Sequence, residues 1–200
     1  MKRNWSVSTG VLLLAAGIVY LARPGEAAAV LLPTAVHELG HLTALWLLGL
    51  RVKGFRAELR GFCIEYCGYT GALGHALAAA AGPMAGFAYA LAASLAAERT
   101  GSAWWSLSAG VSLLLSTFNL LPALPLDGGR ILLQLSAAVL GERRGQRLTE
   151  LAGLAVGGAL LALGIWLMLQ GRGFALLIAA IWLLLYQESG RGIVKRREMI

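Results

Sequence analysis

The chain has 200 residues, 58% of them hydrophobic and only 14% charged, with a net charge of +7 and a mean hydropathy of +0.71. Soluble domains carry about 25% charged residues, so an ordinary water-soluble globule is excluded, and the length allows one domain whose solvent is lipid. The Lys and Arg residues are scattered over several segments rather than gathered in one patch, which argues against nucleic acid as a partner.

Apolar stretches long enough to span a bilayer, or nearly so, fall at 9–22, 27–50, 74–97, 102–121, 148–170 and 173–187. They predict an all-α polytopic membrane protein of about six transmembrane helices, with 1–200 as a single transmembrane domain. Six spans put both termini on one side. With the N-terminus inside, fourteen of the 17 Lys and Arg residues fall in inner segments; Arg23, Arg99 and Arg172 alone lie outside. That asymmetry makes both termini cytoplasmic, and the inner charge faces anionic lipid. The expected location is a cell membrane of bacterial type, crossed several times.

The first span follows Met1-Lys2-Arg3 and has a cleaved signal peptide as its alternative reading, but Ala22-Arg23-Pro24 is not a small-x-small cleavage site. The second span carries His37-Glu38-Leu39-Gly40-His41, the H-E-x-x-H pattern of zinc-dependent hydrolases. On a helix, residues four apart share a face, so both imidazoles can meet one Zn²⁺. Glu38 is turned by about 100°, within reach of a reacting water without being a ligand. Ionisable groups at membrane depth cost roughly 2.5–3.5 kcal/mol each, so three together call for a function.

Val52 to Tyr69 behaves differently. Phe55, Ala57 and Leu59 alternate with Arg56, Glu58 and Arg60; after Gly61, Phe62, Ile64 and Tyr66 alternate with Cys63, Glu65 and Cys67. Period-two alternation about a glycine reads as a short inner-side β-hairpin. Cys63 and Cys67 lie in the same segment, where a cytosolic setting keeps them reduced. The third span holds Ala81-Gly82-Pro83-Met84-Ala85-Gly86, where Pro83 removes a backbone donor and kinks the helix while small residues admit a neighbouring backbone. Packing is the default reading there, and for Gly153-x-x-x-Gly157 in the fifth span.

A two-histidine site needs a third protein ligand and leaves one position for water. The fourth span ends Asn119-Leu120-Leu121-Pro122-Ala123-Leu124-Pro125-Leu126-Asp127-Gly128-Gly129-Arg130, and Asp127 is the chain's sole aspartate. The second and fourth spans both run outside to inside, with the histidines in the middle to inner half of one and Asp127 at the inner end of the other, so the two motifs can meet. Two alternatives stand: Asp127 as a plain helix N-cap, and His75 as the third ligand.

Taken together, H-E-L-G-H, A-G-P and N-L-L-P-A-L-P-L-D-G-G-R resemble the motifs of the site-2 protease family, the intramembrane zinc metalloproteases of peptidase family M50. The resemblance covers roughly 27–135 and is similar above all to the stage IV sporulation protein FB branch, whose members often carry a C-terminal CBS domain that this chain lacks at Ile200. It implies His37, His41 and Asp127 as ligands of one Zn²⁺ and Glu38 as the catalytic base. It also implies a hairpin, Val52–Tyr66, that presents substrate. Phe62 and Ile64 on that hairpin, Gly82 and Pro83, and Asn119 are candidate substrate contacts. Many relatives read A-G-P-x-x-N, whereas Gly86 stands at that last place here.

The implied activity is hydrolysis of a peptide bond in or near a transmembrane segment of a membrane-tethered protein, as in regulated intramembrane proteolysis. The partners are that membrane-embedded substrate and the lipid bilayer, with room for a regulatory membrane protein. A catalytically silent membrane scaffold of the same fold is the alternative. The intact Glu38 argues against it, since a binder needs no base.

Overall fold

The computed structural model describes residues 4–7, 24–58, 61–68 and 70–197. The first expected span, 9–22, lies outside the described residues. Contacts divide the chain into two compact units, Met1–Asn119 and Leu120–Ile200.

The first unit contains helices α1 (Pro24–Leu47), α2 (Ala72–Thr100) and α3 (Ala103–Asn119). Helix α1 opens on proline, which suits a first turn that has no partner for its N–H. Helix α2 runs unbroken through Pro83 and closes on Gly101, whose left-handed backbone (φ 64°) lets its N–H bond to the Ala97 carbonyl. Pro83 stands inside this continuous helix and is wholly buried among packed helices. Helix α2 packs against both α1 and α3. Its buried positions are small: Ala76, Ala78, Ala79, Gly82, Pro83, Gly86, Ala90 and Ala93. Small residues let backbones approach closely where no hydrophobic effect drives helices together.

The backbone between α1 and α2 forms strands β2 (Arg51–Glu58) and β3 (Gly61–Cys67), with β1 (Asn4–Val7) completing a sheet of order β1-β2-β3. Strands β2 and β3 pair antiparallel, Phe55 opposite Ile64 and Ala57 opposite Phe62, with an irregularity between Val52 and Gly54. Strand β1 joins β2 in parallel, Trp5 opposite Phe55, a pairing that no local pattern announces.

The second unit contains α4 (Asp127–Leu140), α5 (Glu142–Leu169) and α6 (Ala175–Arg197), with α5 packed against both of the others. Helix α4 is a separate element that the span list omits, set off by the Pro122–Pro125 segment.

The expected count of six spans is not what the described residues carry. Two helices, Ala72–Thr100 and Glu142–Leu169, are long and apolar enough to cross a membrane, and Ala175–Gln187 is a shorter apolar one. The reason lies in composition. The second predicted span is diluted by His37, Glu38 and His41, and α3 holds Ser106, Ser108, Ser112 and Ser116 within 17 residues. Burial is inverted relative to a soluble protein: Ser108, Ser112 and Ser116 are fully buried, while Leu91, Leu114, Leu151 and Leu169 stand exposed.

Candidate metal centre

Helix α1 supplies the two histidines. Four residues apart on one face, they bring Nε2 of His37 and Nε2 of His41 to 3.2 Å, with ring planes at 81°. A tetrahedral ion with Zn–N bonds of 2.0–2.1 Å holds two nitrogens about 3.3 Å apart, so the pair has the separation that one zinc ion requires. Both rings are buried, His37 at 3% exposure and His41 at 9%.

Helix α2 sets the orientation of His41. Its Nδ1 donates to the Ala78 carbonyl at 2.8 Å, and because a carbonyl can only accept, the proton is on Nδ1. That leaves the Nε2 lone pair facing His37. A second hydrogen bond of this kind is the usual way a metal-ligating imidazole is held. Gly82, one turn along α2, makes the room: a Cβ there would run into the His41 imidazole. Gly40 has a matching role, since its Cβ would lie 2.6 Å from the Ala81 carbonyl oxygen and 2.7 Å from the Ala85 Cβ. Glycine inside the motif therefore sets how closely α1 meets α2.

Asp127 opens α4. Leu126, not Asp127, occupies the N-cap, and Asp127 lies in the first helical turn, so the plain N-cap reading is set aside. The segment before it folds tightly over the helix start: a Cβ on Gly128 would meet the Leu120 carbonyl, and one on Gly129 would meet the Ala123–Leu124 peptide. The paired glycines let that loop lie on α4 and leave Asp127 buried at 5% exposure. Arg130 approaches its carboxylate only loosely, at 3.9 Å from a half-exposed position.

His37, His41 and Asp127 form a buried group that could hold a metal ion, one ligand atom of each lying within 4.8 Å of the others. Two imidazole nitrogens and a carboxylate oxygen are a zinc donor set that leaves a fourth position open. His75, the rival ligand, is half-buried in the first turn of α2 and is not part of that group. Glu38 is half-buried beside His37 on α1. Pro83 follows Gly82 on the buried face of α2, and half-buried Asn119 is the last residue of α3. Phe62 and Ile64 are on β3, opposite Ala57 and Phe55 of β2.

One polar cluster went unforeseen. Ser112 Oγ donates to the Gly86 carbonyl at 2.8 Å, Ser108 Oγ and Tyr89 Oη lie 2.7 Å apart, and a Cβ on Gly86 would fall on Ser116 Oγ. The space beside Gly86 is thus filled by serines of α3. Their i, i+4, i+8 spacing was the available signal.

Comparison with known proteins agrees with this geometry. Residues 7–127 match the family described as Peptidase M50B-like, and residues 93–164 match Peptidase family M50. Curated relatives from Mycobacterium tuberculosis strains Erdman and H37Rv, each named Putative zinc metalloprotease Rip3, are 32% identical over 200 residues covering 90% of this chain. The chain spans about half of those relatives, 48% of their length. The solved Site-2 Protease from Methanocaldococcus jannaschii shares the fold at a TM-score of 0.66 and 20% identity, covering 89% of this chain and 84% of that one.

Proposed function

The chain belongs to peptidase family M50, the membrane-embedded site-2 proteases, and from that premise we propose that it is an intramembrane zinc metalloprotease. Its substrate is a membrane-tethered protein, cut in or near a transmembrane segment. The observation that carries this reading is the buried His37, His41 and Asp127 group, with imidazole nitrogens 3.2 Å apart.

In this reading His37, His41 and Asp127 hold one Zn²⁺. When bound there, the ion would supply Lewis acidity for the scissile carbonyl and would lower the pKa of a water towards about 7. Glu38 takes the proton as water adds to the carbonyl carbon, then delivers it to the amide nitrogen as the C–N bond breaks. The Ala78 carbonyl keeps the His41 lone pair on its target throughout. Asn119 contacts the substrate backbone, whereas Gly82 and Pro83, expected to meet substrate, are buried within the helix packing beside His41 and shape the site from behind.

A transmembrane helix hides its carbonyls in its own hydrogen bonds, so the scissile stretch must unwind. Among the described residues strand β3 is an edge of the sheet, and an edge can accept an extended segment by strand addition, replacing the lost bonds where water is scarce. Phe62 and Ile64 would meet substrate there. Orientation follows from the Lys and Arg asymmetry, with both termini cytoplasmic in a bacterial cell membrane. The motif resemblance extends the proposal to the stage IV sporulation protein FB branch, and to a membrane-tethered pro-sigma factor, an anti-sigma factor or remnant signal peptides as substrates.

Glu38→Gln separates base from ligand. Proteolysis of a model membrane substrate should disappear while one equivalent of zinc stays bound, measured by elemental analysis. Loss of zinc in that variant would place Glu38 among the ligands and overturn the assignment.

A further inference from the structure

Helix α5 begins with a charged segment whose two signs part to different faces. Glu142, Gln146 and Glu150, at i, i+4 and i+8, line a cavity within the second unit, and Gln146 Nε2 donates to Glu150 Oε1 at 3.2 Å. Arg143, Arg144 and Arg147 centre about 100° further round the helix, and all three are exposed. No hydrogen bond or ion pair engages their guanidiniums among the described residues. The turn that carries them is held from behind. Gly145 lies so close to α4 that a Cβ there would meet the Ala137 backbone nitrogen at 2.5 Å, and Ser136 Oγ donates to the Gly145 carbonyl at 3.3 Å. The arginines therefore project from an anchored backbone and not from a fraying helix end.

The rest of α5 sets their depth. The helix is long and apolar enough to cross a membrane. Its residues 151–169 carry no charge and rise about 28 Å at roughly 1.5 Å per residue, close to the ~30 Å hydrocarbon core of a bilayer. Arg147 stands one turn before that stretch, and Arg143 and Arg144 about two turns before it, which is the layer of headgroup phosphates. Near the opposite end Trp166 is exposed, as an interfacial aromatic is. Leu151, one turn on from Arg147, is 63% exposed, so a single surface passes from guanidinium to open leucine. Val139 and Leu140, which end α4 just before this segment, are exposed too. Apolar side chains standing open beside cations suit a ligand that joins a phosphate to acyl chains. A soluble acidic peptide would leave them in water.

We propose that Arg143, Arg144 and Arg147 form a binding site for the phosphate of an anionic phospholipid, whose acyl chains lie along Leu151 and the open side of α5. Positions 143 and 147, and 144 and 147, are neighbours about 5–6 Å apart on a helix surface. Two guanidiniums can therefore reach one phosphate, each giving paired N–H bonds to its oxygens. A general excess of Lys and Arg on one side orients a membrane protein; this cluster adds a place where one lipid is held. The site needs α5 to cross a bilayer with its start at headgroup depth, and it asks nothing of the zinc chemistry.

The test uses the full-length protein, delipidated in a non-ionic detergent and titrated with phosphatidylglycerol or phosphatidylcholine, with bound lipid counted by native mass spectrometry. The wild type should hold one phosphatidylglycerol at concentrations where phosphatidylcholine stays unbound. Arg147→Gln should weaken that binding about fivefold, the attraction of one surface cation for anionic lipid, and the Arg143→Gln/Arg144→Gln/Arg147→Gln variant should weaken it further. Arg172→Gln, beyond the other end of α5, should bind as the wild type does. The single variant keeps two of the three cations, so it decides the matter if the triple variant fails to insert. No preference between the two lipids, unchanged binding in Arg147→Gln, or an equal loss in Arg172→Gln would overturn the site. Displacement of the lipid by an equal concentration of inorganic phosphate would show a free-anion site, and tighter binding of a Glu-rich peptide would show a protein-docking surface; either sinks the lipid assignment. Glu38→Gln should bind lipid like the wild type, because none of these readouts depends on proteolysis.

Discussion

Two small positions control how the His41 ring is held. The ring needs an acceptor for Nδ1, which the Ala78 carbonyl provides, and space, which Gly82 provides. A methyl group at 82 cannot be absorbed by a flexible neighbour, because the atoms it meets belong to the ring itself. Gly82→Ala should therefore weaken zinc binding by at least about tenfold, the scale of losses from disturbed supporting contacts, while the protein still inserts and folds. Zinc titration against a competing chelator reads this directly; unchanged affinity would mean the ring has another place to go. None of this is visible along the chain. His37 and His41 declare themselves because their relation is local, four residues on one helix. Ala78 is one alanine in a run of four, and only the crossing of α1 over α2 singles out its carbonyl.

Among the elements, the hairpin strands and α3 differ in how much of them could be read. Alternation about Gly61 marks β2 and β3, because a pleated strand repeats every two residues. The parallel partner β1 is invisible to that rule, since pairing across more than forty residues leaves no periodic trace. Among the described residues nothing pairs with the other side of strand β3, and a proline there disturbs the strand that a docking segment would pair with. Ile64→Pro should cripple cleavage of a membrane substrate while zinc content stays at the wild-type level. Normal cleavage would remove the hairpin from substrate handling. Helix α3 teaches the opposite lesson. Hydropathy treats it as one more greasy segment, yet its serines at 108, 112 and 116 are its buried face. Apolar counting registers how much of a helix suits lipid, not which side meets protein.

For the molecule as a whole, a metal held by ligands from distant parts of the chain should couple occupancy to stability. Ligand that binds only the folded state at 1,000 times its Kd contributes about 4.1 kcal/mol. Chelation should therefore abolish proteolysis and lower Tm by several degrees, and restored Zn²⁺ should recover both. Full recovery of activity with Mg²⁺ would contradict a nitrogen-rich site. Composition already excludes a soluble globule, and the H-E-x-x-H spacing with a sole aspartate already names the metal-binding candidates. Those are properties of residue type and of contacts within one helical turn, which primary structure carries in full. Tertiary structure decided the rest: that Asp127 sits inside a helical turn rather than capping it, that His75 is left out, and that Ala78 and Gly82 hold His41. Each of these depends on which backbones approach one another, and close approach is set by packing across the chain rather than by any residue's neighbours in sequence.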